Sequence, residues 1–139
     1  MSFVLDASVT VSWCFSDERD DYSRAALAAL AEEGAVVPHL WGLEVANALL
    51  TAERRGRIDP TDALQLMRRF LSLPLAVDPV SRARALTTTH RLARTHDLTS
   101  YDACYLELAI REGLPVATLD RSLASAAERE GVGHWSPSE

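Results

Sequence analysis

The chain is expected to fold as a three-layer α/β/α domain around a parallel sheet of four to five strands, and three features of its sequence point there. Short apolar runs recur along the chain, longer segments of helical spacing separate them, and capping or terminating residues stand at the boundaries. Runs that are nearly all apolar suit strands buried on both faces, the situation of a parallel sheet covered by helices. No linker, low-complexity tract or internal repeat interrupts the pattern, so residues 1–139 are read as a single domain.

Taken in order, Phe3-Val4-Leu5 is the first expected strand and Ala35-Val36-Val37 the second. Leu75-Ala76-Val77 is the third, Pro115-Val116-Ala117-Thr118 the fourth, and a weak fifth lies near His134-Trp135. Asp17, Glu18, Asp20 and Asp21, with Arg19 among them, read as a solvated loop entering a helix. Gly34 and Gly56 close two helices. Asp59-Pro60 supplies an N-cap followed by proline at the first helical position, ahead of Ala63-Leu64 and Met67. Ser100 is placed to cap the helix Tyr101–Glu112, and Gly113 follows as a left-handed terminator.

Composition removes several classes of function. All 14 basic residues are arginine. Without lysine there is no Gly-Lys-Ser/Thr phosphate loop, lysine Schiff base or lysine general base. Neither Gly-x-Gly-x-x-Gly nor Gly-x-Ser-x-Gly occurs, which withdraws support from dinucleotide-binding and α/β-hydrolase chemistry. Cys14 and Cys104 are far apart and set in apolar surroundings, as buried free thiols are, and His39, His90, His96 and His134 show no i,i+4 pairing. The start, Met1-Ser2-Phe3-Val4-Leu5-Asp6, reaches an acid after three apolar residues. That is too short for a signal peptide or a membrane span, so a cytoplasmic location is expected. The net charge of −6 has the wrong sign for a protein that coats nucleic acid. Acids that bind divalent cations would cancel much of that excess and reverse its sign locally.

A few acids break the packing pattern. The first strand runs into Asp6, and the fourth runs through Thr118-Leu119 into Asp120. Both stand at the carboxyl end of an expected parallel strand, the edge where open α/β sheets bind ligands when strand order reverses. Read alone, an Asp after a strand is more often a turn or helix cap. In the helix Leu40–Arg54, every residue from Leu40 to Leu50 is apolar except Gly42, Glu44 and Asn47. Glu44 and Asn47 share a face, with Thr51 one turn beyond, making a narrow polar stripe on an otherwise buried helix. A solvated face would carry more charge than one acid and one amide. Asp102 lies about 140° around its helix from Glu107, which pairs i,i+4 with Arg111 and marks the solvent side. Favourable placement in the helix dipole is the plain alternative for Asp102. Together these carboxylates are hard oxygen ligands suited to Mg²⁺ or Mn²⁺, and they would repel one another without cations between them. Such a site can orient and help ionise a water for in-line attack on a phosphodiester.

With their neighbours these acids resemble the PIN-domain nucleases, in particular the VapC toxins of bacterial toxin–antitoxin pairs. The matching pieces are Val4-Leu5-Asp6-Ala7-Ser8, Glu44-Val45-Ala46-Asn47-Ala48-Leu49, Leu98-Thr99-Ser100-Tyr101-Asp102-Ala103 and Leu114-Pro115-Val116-Ala117-Thr118-Leu119-Asp120, in that order. The resemblance implies a sheet of order 3-2-1-4-5 and an Mg²⁺- or Mn²⁺-dependent endoribonuclease. It also implies a homodimer, inhibited by a VapB-like antitoxin whose C-terminal segment covers the site. Asp6, Glu44, Asp102 and Asp120 become the metal-holding catalytic quartet. Ser8 and Thr118 become hydroxyls that help hold metal or its water, and Asn47 supports Glu44 or the substrate. The apolar helices Leu40–Leu50 and Ala63–Leu73 exceed what one sheet face needs, which also points to a dimer. The residues themselves leave open a metal- or RNA-binding module without turnover and a DNA-directed nuclease of the same architecture.

Overall fold

The computed structural model describes residues 2–137. The elements run β1 (Val4–Leu5), α1 (Ala7–Trp13), α2 (Asp21–Glu33), β2 (Ala35–Pro38), α3 (Leu40–Arg54), α4 (Pro60–Leu71) and β3 (Leu75–Asp78). Then come α5 (Arg82–Arg84), a π-helical turn Ala85–Thr89, α6 (His90–His96), α7 (Ser100–Glu112), β4 (Val116–Ala117) and α8 (Arg121–Arg129). The sheet is parallel throughout, in the order β3-β2-β1-β4. Chain order therefore proceeds outward from β1 through β2 to β3 and then restarts on the other side at β4. The reversal falls between β1 and β4, and it opens a crevice at their carboxyl ends.

The inner strands are short because only a few residues are squeezed between helical layers. Phe3, Val4, Leu5, Val37 and Val116 have no solvent exposure, and Leu30, Leu106, Leu108 and Leu123 close over them. Burying each such side chain contributes about 1.5–3 kcal/mol. α7 packs on β1, β2 and β4, and α8 packs on β4. Gly34 ends α2 at φ 73°, and a Cβ there would lie 3.0 Å from the Pro74 carbonyl oxygen where β2 and β3 begin. Glycine is needed on both counts.

Four details depart from the expectations. The weak fifth strand near His134-Trp135 is a single parallel bridge, Val116 to His134, beside β4. It occupies the fifth place in the expected order, but two bonds (Val116 N to Gly133 O, Trp135 N to Val116 O) are its whole ladder. The α7 cap is Thr99 rather than Ser100: its hydroxyl accepts from the Asp102 amide at 3.1 Å. α3 is not otherwise buried, for Leu43 is 77% exposed and Leu50 40%. Glu107 does not mark the solvent side but is buried, bound to Arg111. Burial on these helices is set by which neighbours cover them, and hydrophobicity alone does not report that. Among the described residues, no helix is long and apolar enough to cross a membrane.

Candidate active site

Asp6 and Asp120 meet across the reversal. The Asp6 amide donates to the Ala117 carbonyl at 3.0 Å, so the two strands end side by side. Asp6 is buried, and its Oδ2 accepts from the Ser8 hydroxyl at 2.6 Å and the Thr118 hydroxyl at 2.8 Å. Each hydroxyl is itself oriented by a backbone amide: Leu119 N–H donates to Ser8 Oγ, and Asp120 N–H to Thr118 Oγ1, both at 3.0 Å. A hydroxyl that accepts an amide proton directs its own proton elsewhere, and here both aim at Asp6. The Thr118 carbonyl in turn contacts His134 Nε2 at 2.9 Å. Asp120 also caps α8, its Oδ1 accepting from the amides of Ser122 and Leu123 at 2.8 and 3.2 Å. Cap and candidate ligand are thus the same residue, with Oδ2 outside those cap bonds.

Glu44 and Asp102 face this pair from α3 and α7. Burial raises the Glu44 carboxyl above its ordinary range, and the charges of Asp6 and Asp102 raise it further, while a hydrogen bond from Tyr105 opposes them. Asp102 is raised by burial and then by Asp6 and Asp120. Asp6 is raised chiefly by burial, against the pull of the Ser8 and Thr118 hydroxyls, with Asp120 adding to the rise. The four carboxylates therefore act on one another across one crevice. At an effective dielectric near 20, like charges about 5 Å apart repel by roughly 3 kcal/mol before screening. Among the described residues no ion pair reaches any of the four.

The donor chemistry fits a hard divalent cation: carboxylate oxygens, adjacent hydroxyls and an uncompensated negative charge. As the side chains stand, no three of the acids, histidines or cysteines among the described residues lie within reach of one ion. A cation held by three of them would draw the carboxylates closer together than the side chains now stand.

Of the residues singled out from sequence, Asp6, Ser8, Thr118 and Asp120 form one bonded unit, with Glu44 and Asp102 across from it. Asn47 stands apart, exposed on α3. Glu44 takes its hydrogen bond from Tyr105 Oη at 2.6 Å instead. Tyr105 is not among the residues that the sequence singles out. Its position three residues after Asp102, on the same face of α7, is the signal that could have pointed to it.

The chain matches the PIN domain over residues 3–129. It is 32% identical to Ribonuclease VapC3 of Pyrobaculum aerophilum over 124 residues, which cover 89% of this chain and 93% of that one. The crystal structure of PAE2754 from Pyrobaculum aerophilum superposes with a TM-score of 0.69 at 28% identity, covering 91% of this chain and 84% of that one. VapC20 of Mycobacterium tuberculosis, a toxin that cleaves the sarcin–ricin loop, superposes equally well at 16% identity, covering 98% of this chain and all of that one.

Proposed function

This chain belongs to the PIN-domain family, and on that premise we propose that it is a metal-dependent endoribonuclease, the toxin of a toxin–antitoxin pair. The observation that carries the reading is the crevice at the β1/β4 reversal, where Asp6, Glu44, Asp102 and Asp120 press negative charge on one another with no arginine to balance it. The 32% identity to a named ribonuclease supports RNA as the substrate. Asp6, Glu44, Asp102 and Asp120 would hold Mg²⁺ or Mn²⁺, which supplies charge neutralisation at the phosphate and lowers the cost of ionising a water. The protein's own part is orientation. Ser8 and Thr118 fix Asp6 Oδ2, and the α8 amides fix Asp120 Oδ1, so each carboxylate presents a defined edge to the crevice. Arginine, the chain's only strong base, contacts the phosphates.

Beside the crevice lies a largely apolar groove of about 580 Å³, lined by His39, Leu40, Leu43, Val80, Tyr101 and Cys104 among others. Leu43 and Tyr101 adjoin Glu44 and Asp102 in the chain, so the groove is lined by the same two helices, α3 and α7, that carry two of the acids. This supports a VapB-like antitoxin whose C-terminal segment blocks the site. The exposed Leu43, Leu50, Leu64 and Leu71 of α3 and α4 support a homodimer, to be seen by light scattering at micromolar concentration. Two free cysteines suit a reducing, cytoplasmic setting.

The decisive experiment offers purified protein both RNA and DNA with Mg²⁺ or Mn²⁺ and with chelator. RNA cleavage that chelator stops is expected. Metal-dependent RNA binding without cleavage would leave a silent binding module, and preferential DNA cleavage would move the substrate class.

A further inference from the structure

Tyr105 is the largest side chain with no solvent exposure among the described residues, yet it ends in a hydroxyl at the edge of the candidate site. A buried phenol needs a polar partner, and in many cores a backbone carbonyl suffices. Here the hydroxyl donates to Glu44 Oε1 at 2.6 Å, across 61 positions of chain. One bond thereby ties α7 to α3, the two helices from which Asp102 and Glu44 arise. An ionised carboxylate can only accept, so the phenol proton is aimed at Glu44. A half-exposed glutamate on a helix would otherwise sample several rotamers. With Oε1 pinned, its second oxygen has far fewer orientations open to it.

We propose that Tyr105 is a positioning residue: its hydroxyl, bound to Glu44 Oε1, holds the Glu44 carboxylate in one orientation for the divalent cation. The inference rests on reading the crevice as a metal site. It does not require Tyr105 to touch RNA or metal. Partners of this kind, which orient a ligand without binding the ion, typically change metal affinity by about 10–100-fold.

The test removes one oxygen atom. Tyr105→Phe keeps the ring that fills the core, and far-UV circular dichroism with a metal-free melt checks that it folds. Calorimetric titration with Mn²⁺ alone should show affinity falling about tenfold or more from wild type. RNA cleavage should need correspondingly more Mn²⁺, with KM for RNA unchanged at saturating metal. In a Glu44→Gln background, Tyr105→Phe should change Mn²⁺ affinity by less than about twofold, because the group it positions is gone. Equal losses in both backgrounds, or unchanged Mn²⁺ affinity in Tyr105→Phe, would overturn the proposal and leave a packing residue. Should Tyr105→Phe fail to fold, Glu44→Asp reads the same bond from its other end. The shortened acid keeps its charge but cannot both reach Tyr105 and hold its place in the crevice, so Mn²⁺ affinity should fall by a similar factor. Full affinity in Glu44→Asp would count against the proposal. Wild-type protein that binds no Mn²⁺ would overturn the metal reading itself, and this inference with it. Wild-type binding with an unaffected Tyr105→Phe would overturn this inference alone.

Discussion

Asp102 near the start of α7 and Glu107 in its second half lie on one helix in opposite electrostatic surroundings. Glu107 is buried, and Arg111 one turn on donates to both of its oxygens at 2.9 and 3.0 Å. The same guanidinium grips Asp78 at the end of β3 with two further bonds of 3.0 and 2.8 Å, and Arg84 stands 3.6 Å from Glu107. Arg111 accordingly holds the Asp78 carboxyl below its ordinary range. At the other end of the helix, Asp102 is raised by burial and by Asp6 and Asp120. One group of acids settles its charge with arginines of the chain, while the other accumulates charge and orients it with hydroxyls. The first arrangement leaves its buried charge paired, and the second concentrates unpaired negative charge that, on the proposed reading, a bound cation would offset.

The largest expected effect breaks the second group chemically. Asp6→Asn or Asp120→Asn should cut RNA cleavage by a hundredfold or more, roughly 3 kcal/mol of transition-state stabilisation, with circular dichroism intact. Near-normal cleavage, once contaminating nuclease is excluded, would show that these acids do not form the reacting centre.

Metal should next separate the two groups thermally. A cation bound only by the native state adds about 2.7 kcal/mol at a hundredfold excess over its dissociation constant. Wild type should therefore melt higher with Mn²⁺ at matched ionic strength. Asp102→Asn without metal should melt at or above wild type and respond less to Mn²⁺. If it melts well below wild type and keeps the full response, Asp102 belongs to the structural group instead.

Breaking the first group should do the reverse. Arg111→Ala leaves Glu107 buried with only the more distant Arg84, and should cost about 2 kcal/mol of stability. Cleavage per folded molecule should stay near wild type, because Arg111 contacts none of the four crevice acids. A loss of activity without a loss of melting temperature would join the two ends of α7 functionally.

The smallest effect lies in the pH dependence of the metal-free melt. A carboxyl raised in the folded state penalises folding above its folded pKa, and the penalty disappears as pH falls toward its unfolded value. For Asp6, Glu44 and Asp102 those ordinary values are 3.8, 4.5 and 3.8, so mild acid should raise the melting temperature. Asp78 has the opposite sign. Its stabilisation is complete above 3.8 and is lost as pH falls through its lowered folded value. The melt should thus pass through a maximum in mild acid. Asp78→Asn should remove its contribution to the decline on the acid side of that maximum, and added Mn²⁺ should flatten the rise leading to it. A steady decline from neutral pH would mean that the crevice acids carry no penalty.

Apolar runs, glycine terminators and the Asp59-Pro60 start were enough to place four strands and the helices α2, α3, α4 and α7, because periodicity and capping are local properties of the chain. Asp6, Glu44, Asp102 and Asp120 stood out for a related reason: each interrupts a pattern that burial would otherwise keep apolar. Ser8 and Thr118 entered through family resemblance, since a hydroxyl after a strand is too common to mark a site alone. Only the tertiary structure decided that Thr118 reaches Asp6 across 112 positions and Tyr105 reaches Glu44 across 61. It also decided that Glu107 turns inward to Arg111 while Leu43 and Leu50 turn out, and that the fifth strand shrinks to one bridge. Those outcomes depend on which surfaces the strand order brings together, and residue spacing along a single segment carries no information about the element packed opposite.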